Sequence, residues 1–239
     1  MIKLIIFDKD GTLIDHDKLF IPWLNELIKN LEPLLPKNHK LNEHLGFINN
    51  KFLYNSIIPC GTDKDIKNEI KKYTNVDDIV LNNIWKSTNF NYDNLKTHGD
   101  LIEIFNKLKK MNIKIAICTS DNRKETEIMI NKTNIYKYID YYVCGDDEGK
   151  SKPSGDPIRK ICNYLNVKPN ESIMVGDTIT DIKAGKDAGC LKVISVLTGG
   201  YTKQELQDAD IIIPEGGRNQ VAIDLMTTKI DTIFKKRSL

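Results

Sequence analysis

Six short apolar runs recur along this chain, each followed by a turn signal and then by a stretch with helical periodicity. The runs lie at 3–7 (KLIIF), 113–118 (IKIAIC), 141–144 (YYVC), 172–175 (SIMV), 192–196 (KVISV) and 210–214 (DIIIP). Continuous apolar runs of this length suit strands covered on both faces, which is the state of strands in a parallel sheet. The periodic stretches between them, at 100–111, 123–133, 156–165 and 180–189, have the length of crossover helices, and a last helix is expected over about 219–234. The pattern predicts an α/β fold with a doubly wound, mainly parallel sheet.

One stretch breaks the alternation. From about residue 15 to 97 no convincing strand is visible, while Leu19, Phe20, Trp23, Leu24, Leu27, Ile28 and Leu31 recur at three-and-four spacing. An amphipathic helix is expected there, with Pro22 imposing a late start or a bend. Further apolar stripes at 44–58 and 79–85 are separated by PLLPKNHK and PCGTDKD. The expected organisation is a core of residues 1–14 and 97–239 with a helical domain of residues 15–96 inserted after the first strand. A chain of 239 residues is long enough to bury such a core.

Charge and cysteine usage narrow the function classes. The 35 basic and 33 acidic residues are interspersed, so the chain lacks the basic stripe of a nucleic-acid binder. The one basic cluster, KKRSL, reads as a solvated end. The opening MIKLIIF is too short for a membrane span or a signal-peptide core. Five cysteines with no C-x-x-C pair suggest reduced thiols, and the expected location is cytoplasmic. Oligomeric state is not legible.

In an open parallel sheet, ligands bind beyond the carboxyl ends of the strands. Those positions hold Asp8 and Asp10, Thr119 and Ser120, a loop with Lys150 and Lys152, and Asp177 with Asp181. Side chains two apart on an extended chain point the same way, so Asp8 and Asp10 are expected to face one reacting centre. Such a set suits phosphoryl transfer: one carboxylate attacks phosphorus while the other exchanges protons with the leaving oxygen and with water. Clustered carboxylates repel one another and call for a hard cation. Three or four oxygen ligands fit Mg²⁺, and the absence of a His/Cys cluster speaks against zinc.

Four segments in order, DKDGT (8–12), Thr119 ending IAICT, Lys152 in KSKPSGDP and GDTITD (176–181), resemble the haloacid-dehalogenase-like hydrolase superfamily. The later AGKDAGC and LTGGY resemble its phosphoglycolate phosphatase branch. The resemblance implies a Rossmann-like core with a mobile cap. It implies Asp8 as nucleophile, Asp10 as general acid/base, Thr119 and Lys152 on the phosphoryl oxygens, and Mg²⁺ held by Asp8, the Asp10 carbonyl and Asp177. Asp181 would be a ligand or support one. Gly11, Thr119, Ser120 and Lys152 would then line the phosphate site. Asp at position 10 points away from the dehalogenases, because an alkoxide leaving group needs a proton and a halide does not. The implied activity is a phosphatase for a small-molecule phosphate ester, phosphoglycolate first. A hexose-phosphate mutase and a non-catalytic protein of the same fold are the alternatives.

Plainer readings exist for each residue. Asp-Gly pairs favour turns, Thr119 could end a strand or cap a helix, and Asp177 and Asp181 could be helix N-terminal carboxylates with Thr180 as cap. Lys152 is preferred over Lys150 because Pro153 restricts its backbone. Ser154-Gly155 departs from a second proline common in relatives. Asp146, Asp147 and Glu148 read as a solvated loop rather than a second metal site, and the four histidines show no ligand spacing.

Overall fold

The computed structural model describes residues 2–53 and 56–214. The helix expected over 219–234 and the basic tail lie outside the described residues. The chain divides into two compact units, one of Met1–Ile14 with Thr97–Leu239 and one of Asp15–Lys96.

The first unit opens with β1 (Leu4–Phe7), four apolar residues all buried. The chain then enters the second unit through α1 (His16–Leu31), α2 (Leu41–His44), β2 (Phe47–Ile48), β3 (Lys51–Phe52), α3 (Ile57–Cys60), α4 (Asp63–Thr74) and α5 (Asp78–Ser87). Helix α1 begins at His16 and carries Pro22 inside it, so the late start is not found. Pro22 has no N–H to give the Lys18 carbonyl, a loss outweighed by the stripe of Leu19, Trp23, Leu24, Leu27 and Leu31 that the helix buries. The ring of Trp23 meets Trp85 of α5 edge-on at 5.0 Å and stacks on Phe90 at 5.2 Å.

Two features of this unit depart from the sequence reading. Residues β2 and β3 form a short antiparallel hairpin where only helix was expected. Its turn, Asn49-Asn50, has φ of 51° and 61°, the left-handed pair that a two-residue hairpin turn demands and that Asn tolerates. The DKD of PCGTDKD starts α4 instead of separating stripes, because Thr62 and Asp65 form a reciprocal capping box.

Returning to the first unit, the chain runs through α6 (Leu101–Lys110), β4 (Lys114–Cys118), α7 (Arg123–Lys132), β5 (Tyr141–Val143), α8 (Asp156–Tyr164), β6 (Ser172–Gly176), α9 (Ile179–Ala188), β7 (Lys192–Val196) and β8 (Ile211–Ile213). The six strands form one sheet in the order β5-β4-β1-β6-β7-β8, and every pairing is parallel. This is the doubly wound α/β sheet expected from the six apolar runs. The order reverses between β1 and β6, where the register pairs Phe7 with Val175 and the Asp8 N–H donates to the Val175 carbonyl at 2.8 Å. Residues just beyond these two strands are therefore neighbours at the crevice where sheets of this kind bind ligands.

The chain leaves and re-enters the first unit at adjacent points. Ile14 and Thr97 form an antiparallel bridge, and the His98 N–H donates to the Leu13 carbonyl at 2.9 Å.

Candidate active site

The end of β1 delivers Asp8, the end of β6 delivers Asp177, and the first turn of α9 delivers Asp181. Carboxylate oxygens of these three residues lie within 4.8 Å of one another, and all three side chains are buried. Lys152, from the loop before α8, donates to Asp8 Oδ1 and to Asp181 Oδ1, both at 2.6 Å. Its side chain is 3% exposed, whereas Lys150 is exposed, so the lysine at the site is Lys152.

Three buried carboxylates face one ammonium, and the imbalance shows at Asp8 and Asp177. Burial pushes Asp8 up to about 7, against the pull of Lys152 and with the push of Asp181 and Asp10. Burial also drives Asp177 well above the ordinary carboxylate range, with Asp8 and Asp181 adding repulsion. Burial would lower Lys152, yet Asp181 and Asp8 hold it well above its usual value. A buried cluster that resists ionisation in this way lacks positive charge, and a divalent cation with oxygen ligands would supply it. The donor set fits Mg²⁺: carboxylates only, with no sulfur or imidazole among the three residues.

The backbone around Asp177 is shaped for its carboxylate. Thr12 Oγ1 donates to Asp177 Oδ1 at 3.0 Å. A Cβ placed on either Gly11 or Gly199 would overlap Asp177 Oδ2, and Gly11 also sits at φ 75°. Thr198 Oγ1 donates to the Gly11 carbonyl, tying the loop after β7 to the loop after β1. Asp181 is held twice over. Its Oδ2 accepts from the Thr178 N–H at 3.0 Å and from Thr178 Oγ1 at 2.6 Å, which makes Thr178, not Thr180, the cap of α9.

The Lys152 loop is anchored at its far end. The Gly155 N–H donates to Asp187 Oδ2 at 2.6 Å, and a Cβ at Gly155 would overlap the Ala188 backbone, so glycine is required where a second proline was missed. Thr119 follows β4, is 5% exposed, and its Oγ1 accepts from the Asp121 N–H at 3.1 Å. It does not cap α7, since that role belongs to Asn122. Ser120 is half-buried beside it.

Asp10 has a different set of partners. Its carboxylate is not in the Asp8 cluster; it accepts from Lys9 Nζ at 3.0 Å, and Lys9 Nζ also donates to Asp121 Oδ2 at 2.6 Å. Asp10 is still close enough to push Asp8 upward. Period-two reasoning passes over the neighbouring ammonium: Lys9 is 2% exposed and turns inward instead of out to solvent.

Residues outside the site resolve as follows. Asp147 forms a bidentate pair with Arg123 at 2.6 and 2.7 Å, and Asp146 accepts from the Arg123 N–H, so the acidic loop braces α7. None of the five cysteines forms a disulfide. No helix among the described residues is long and apolar enough to cross a membrane. Sequence reasoning missed Lys9, Thr12, Asp121 and Gly199 as parts of the site. Thr12 stood in the same motif as Asp8, and Gly199 in LTGGY; Asp121 carried no local signal.

Known proteins share this chain's family model and its fold. A family model described as haloacid dehalogenase-like hydrolase matches residues 5–196. Pyrophosphatase PpaX of Bacillus thuringiensis (strain Al Hakam) is 29% identical over 195 residues, covering 79% of this chain and 80% of that relative. Among solved structures, a predicted phosphoglycolate phosphatase from Haemophilus somnus aligns with a TM-score of 0.71 at 19% identity, covering 95% of this chain and 98% of that one. CbbY from Rhodobacter sphaeroides, solved in complex with phosphate, aligns with a TM-score of 0.65 at 18% identity, covering 91% and 99%.

Proposed function

The chain belongs to the haloacid dehalogenase-like hydrolase family and is a phosphatase-type enzyme, and on that premise we propose that it is a Mg²⁺-dependent phosphatase that cleaves a small phosphorylated metabolite through an aspartyl-phosphate on Asp8. One observation carries the reading: the Asp8 carboxylate, at the switch point of the sheet, shares a buried pocket with Lys152, Asp177 and Asp181.

Asp8, Asp177 and Asp181 would hold Mg²⁺, with the Asp10 carbonyl as a further ligand. When bound, the ion would neutralise the carboxylates and offset the negative charge of the transferring phosphoryl group. In the first half-reaction Asp8 Oδ attacks phosphorus as the ester P–O bond breaks, and Asp10 gives its proton to the departing oxygen. In the second, Asp10 takes a proton from water as the water oxygen attacks phosphorus, which returns Asp8 and releases inorganic phosphate. Lys152 and Thr119 would steady the phosphoryl oxygens, with Gly11 and Ser120 lining the same site. Asp177 and Asp181 keep their positions through Thr12 and Thr178. Phosphoglycolate and pyrophosphate head the substrates to try, since proteins similar to this one carry those names. We further propose that residues 15–96 form a cap that selects among substrates.

Purified protein should release phosphate from p-nitrophenyl phosphate with Mg²⁺, stop when the metal is chelated, and lose at least about 1,000-fold in kcat in Asp8→Asn, because the proposed covalent step runs through that carboxylate. Ranking phosphorylated metabolites by kcat/KM would identify the substrate. Incubating hexose phosphates with and without a bisphosphate primer tests for a mutase, which would retain the phosphoryl group on the sugar. Wild-type protein inert toward every phosphate compound with Mg²⁺ would overturn the reading and leave a binding protein.

A further inference from the structure

Lys9 has no part in the mechanism above, yet it is a buried, doubly paired cation next to the Asp8 cluster. It lies between the proposed nucleophile and the proposed acid/base in sequence, and a surface lysine there would be unremarkable. Instead its side chain is 3% exposed and its ammonium sits between two carboxylates, at 2.9 Å and 3.0 Å from the two oxygens of Asp10 and 2.6 Å from Asp121 Oδ2. Burying an ammonium is costly unless it is paired, and this one is paired on both sides.

Both partners are tied to the site. Asp10 belongs to the β1 loop, and Asp121 follows Thr119 in the β4 loop, where the Asp121 N–H donates to Thr119 Oγ1 at 3.1 Å and Asp121 Oδ1 accepts from the Asn122 N–H at 2.7 Å. Asn122 in turn caps α7. The connection therefore runs from a helix N-terminus through Asp121 and Lys9 to both oxygens of the Asp10 carboxylate. A carboxylate held at both oxygens by one fixed ammonium has little freedom to rotate, whereas an aspartate with no such partner samples several rotamers.

We propose that Lys9 is a positioning residue: anchored on Asp121, it fixes the direction of the Asp10 carboxylate toward the bridging oxygen of the substrate. This rests on the reading of Asp10 as the group that exchanges protons during ester cleavage. It follows that removing Lys9 should slow the reaction most where proton delivery matters most. An alkyl phosphate leaves as a strongly basic alkoxide and needs the proton; p-nitrophenolate is a weak base and departs without it.

The test compares Lys9→Met/Asp121→Asn, which removes the ammonium together with the buried Asp121 charge and leaves Asp10 without its anchor, and Asp121→Asn alone, which keeps Lys9 but weakens its anchor. Each is assayed with Mg²⁺ on p-nitrophenyl phosphate and on the best alkyl phosphate from the metabolite screen. The double variant should lose about 100-fold in kcat/KM on the alkyl ester, the lower end of what acid–base catalysis contributes, and less than about fivefold on the aryl ester, because kcat/KM reads aspartyl-phosphate formation and leaves out the hydrolysis step that both esters share. Asp121→Asn should show the same selectivity at smaller size, and it carries the test alone if the double variant does not fold. Equal losses on the two esters, or no loss in either variant, would overturn the proposal. Wild-type protein without activity on either ester would instead remove the functional reading beneath it.

Discussion

At the scale of single residues, the site is a problem of charge and room. Asp8, Asp177 and Asp181 are crowded because glycines stand where side chains would intrude. Gly199 is the sharpest case, since its missing Cβ is the space that Asp177 Oδ2 occupies. Gly199→Ala should weaken Mg²⁺ binding by about 10-fold or more, as lost ligand support does, and lower kcat in step. Its effect on metal-free melting should be small, because relieving the overlap only requires the carboxylate to turn. Isothermal titration with Mg²⁺ and a melt in chelator separate the two; a variant that binds the ion as tightly as wild type would refute the cradle. Protonation gives a second expectation. Burial holds Asp8 at about 7 against an ordinary 3.8, so the metal-free native state keeps a proton that the unfolded chain has released. Stability from this group is complete below the unfolded value and is lost as pH rises toward 7. Mg²⁺ should therefore raise Tm more at pH 8 than at pH 5, where it competes with protons. Equal shifts at the two pH values in a fluorescence melt would contradict this.

At the scale of elements, legibility followed how local each signal was. The six strands were readable because runs such as LIIF and SIMV are buried on both faces and leave no polar alternation to misread. Asp8 and Asp177 were readable because each directly follows a strand, whereas Lys152 and Asp181 were read from the motifs around them, KSKPSGDP and GDTITD. The Asn49-Asn50 hairpin was hidden by strands of two residues each, too short to show a period, although the Asn pair itself was the cue. The Lys9–Asp121 pair spans 112 positions, and no local pattern announces such a contact. Helix α9 joins both kinds of signal, because its cap and a member of the carboxylate cluster are one capping box. Thr178→Ala should cost about 1 kcal/mol of stability, the usual worth of such a cap, or a fall in Tm of roughly 2–4 °C. It should also weaken Mg²⁺ binding, since Asp181 loses the hydroxyl among its three donors and keeps only the Thr178 N–H and Lys152. A destabilised variant with unchanged metal affinity would show that the box serves the helix alone.

At the scale of the whole molecule, two chain crossings side by side decide how the insert is carried. The bridge between Ile14 and Thr97 and the bond from His98 to Leu13 hold the two ends of the first unit together. Closing such a gap takes a few residues. We predict that replacing residues 15–96 with a short Gly-Ser linker leaves a core that melts cooperatively and binds Mg²⁺, while turnover of the native substrate collapses. A product with no cooperative melt would show that residues 15–96 are needed for the core to fold. The same paired crossings have an evolutionary reading. An exchange confined between two touching backbone positions alters no strand order and shifts no register, so descendants of one hydrolase could acquire new substrate preferences by trading a module while inheriting the reaction unchanged.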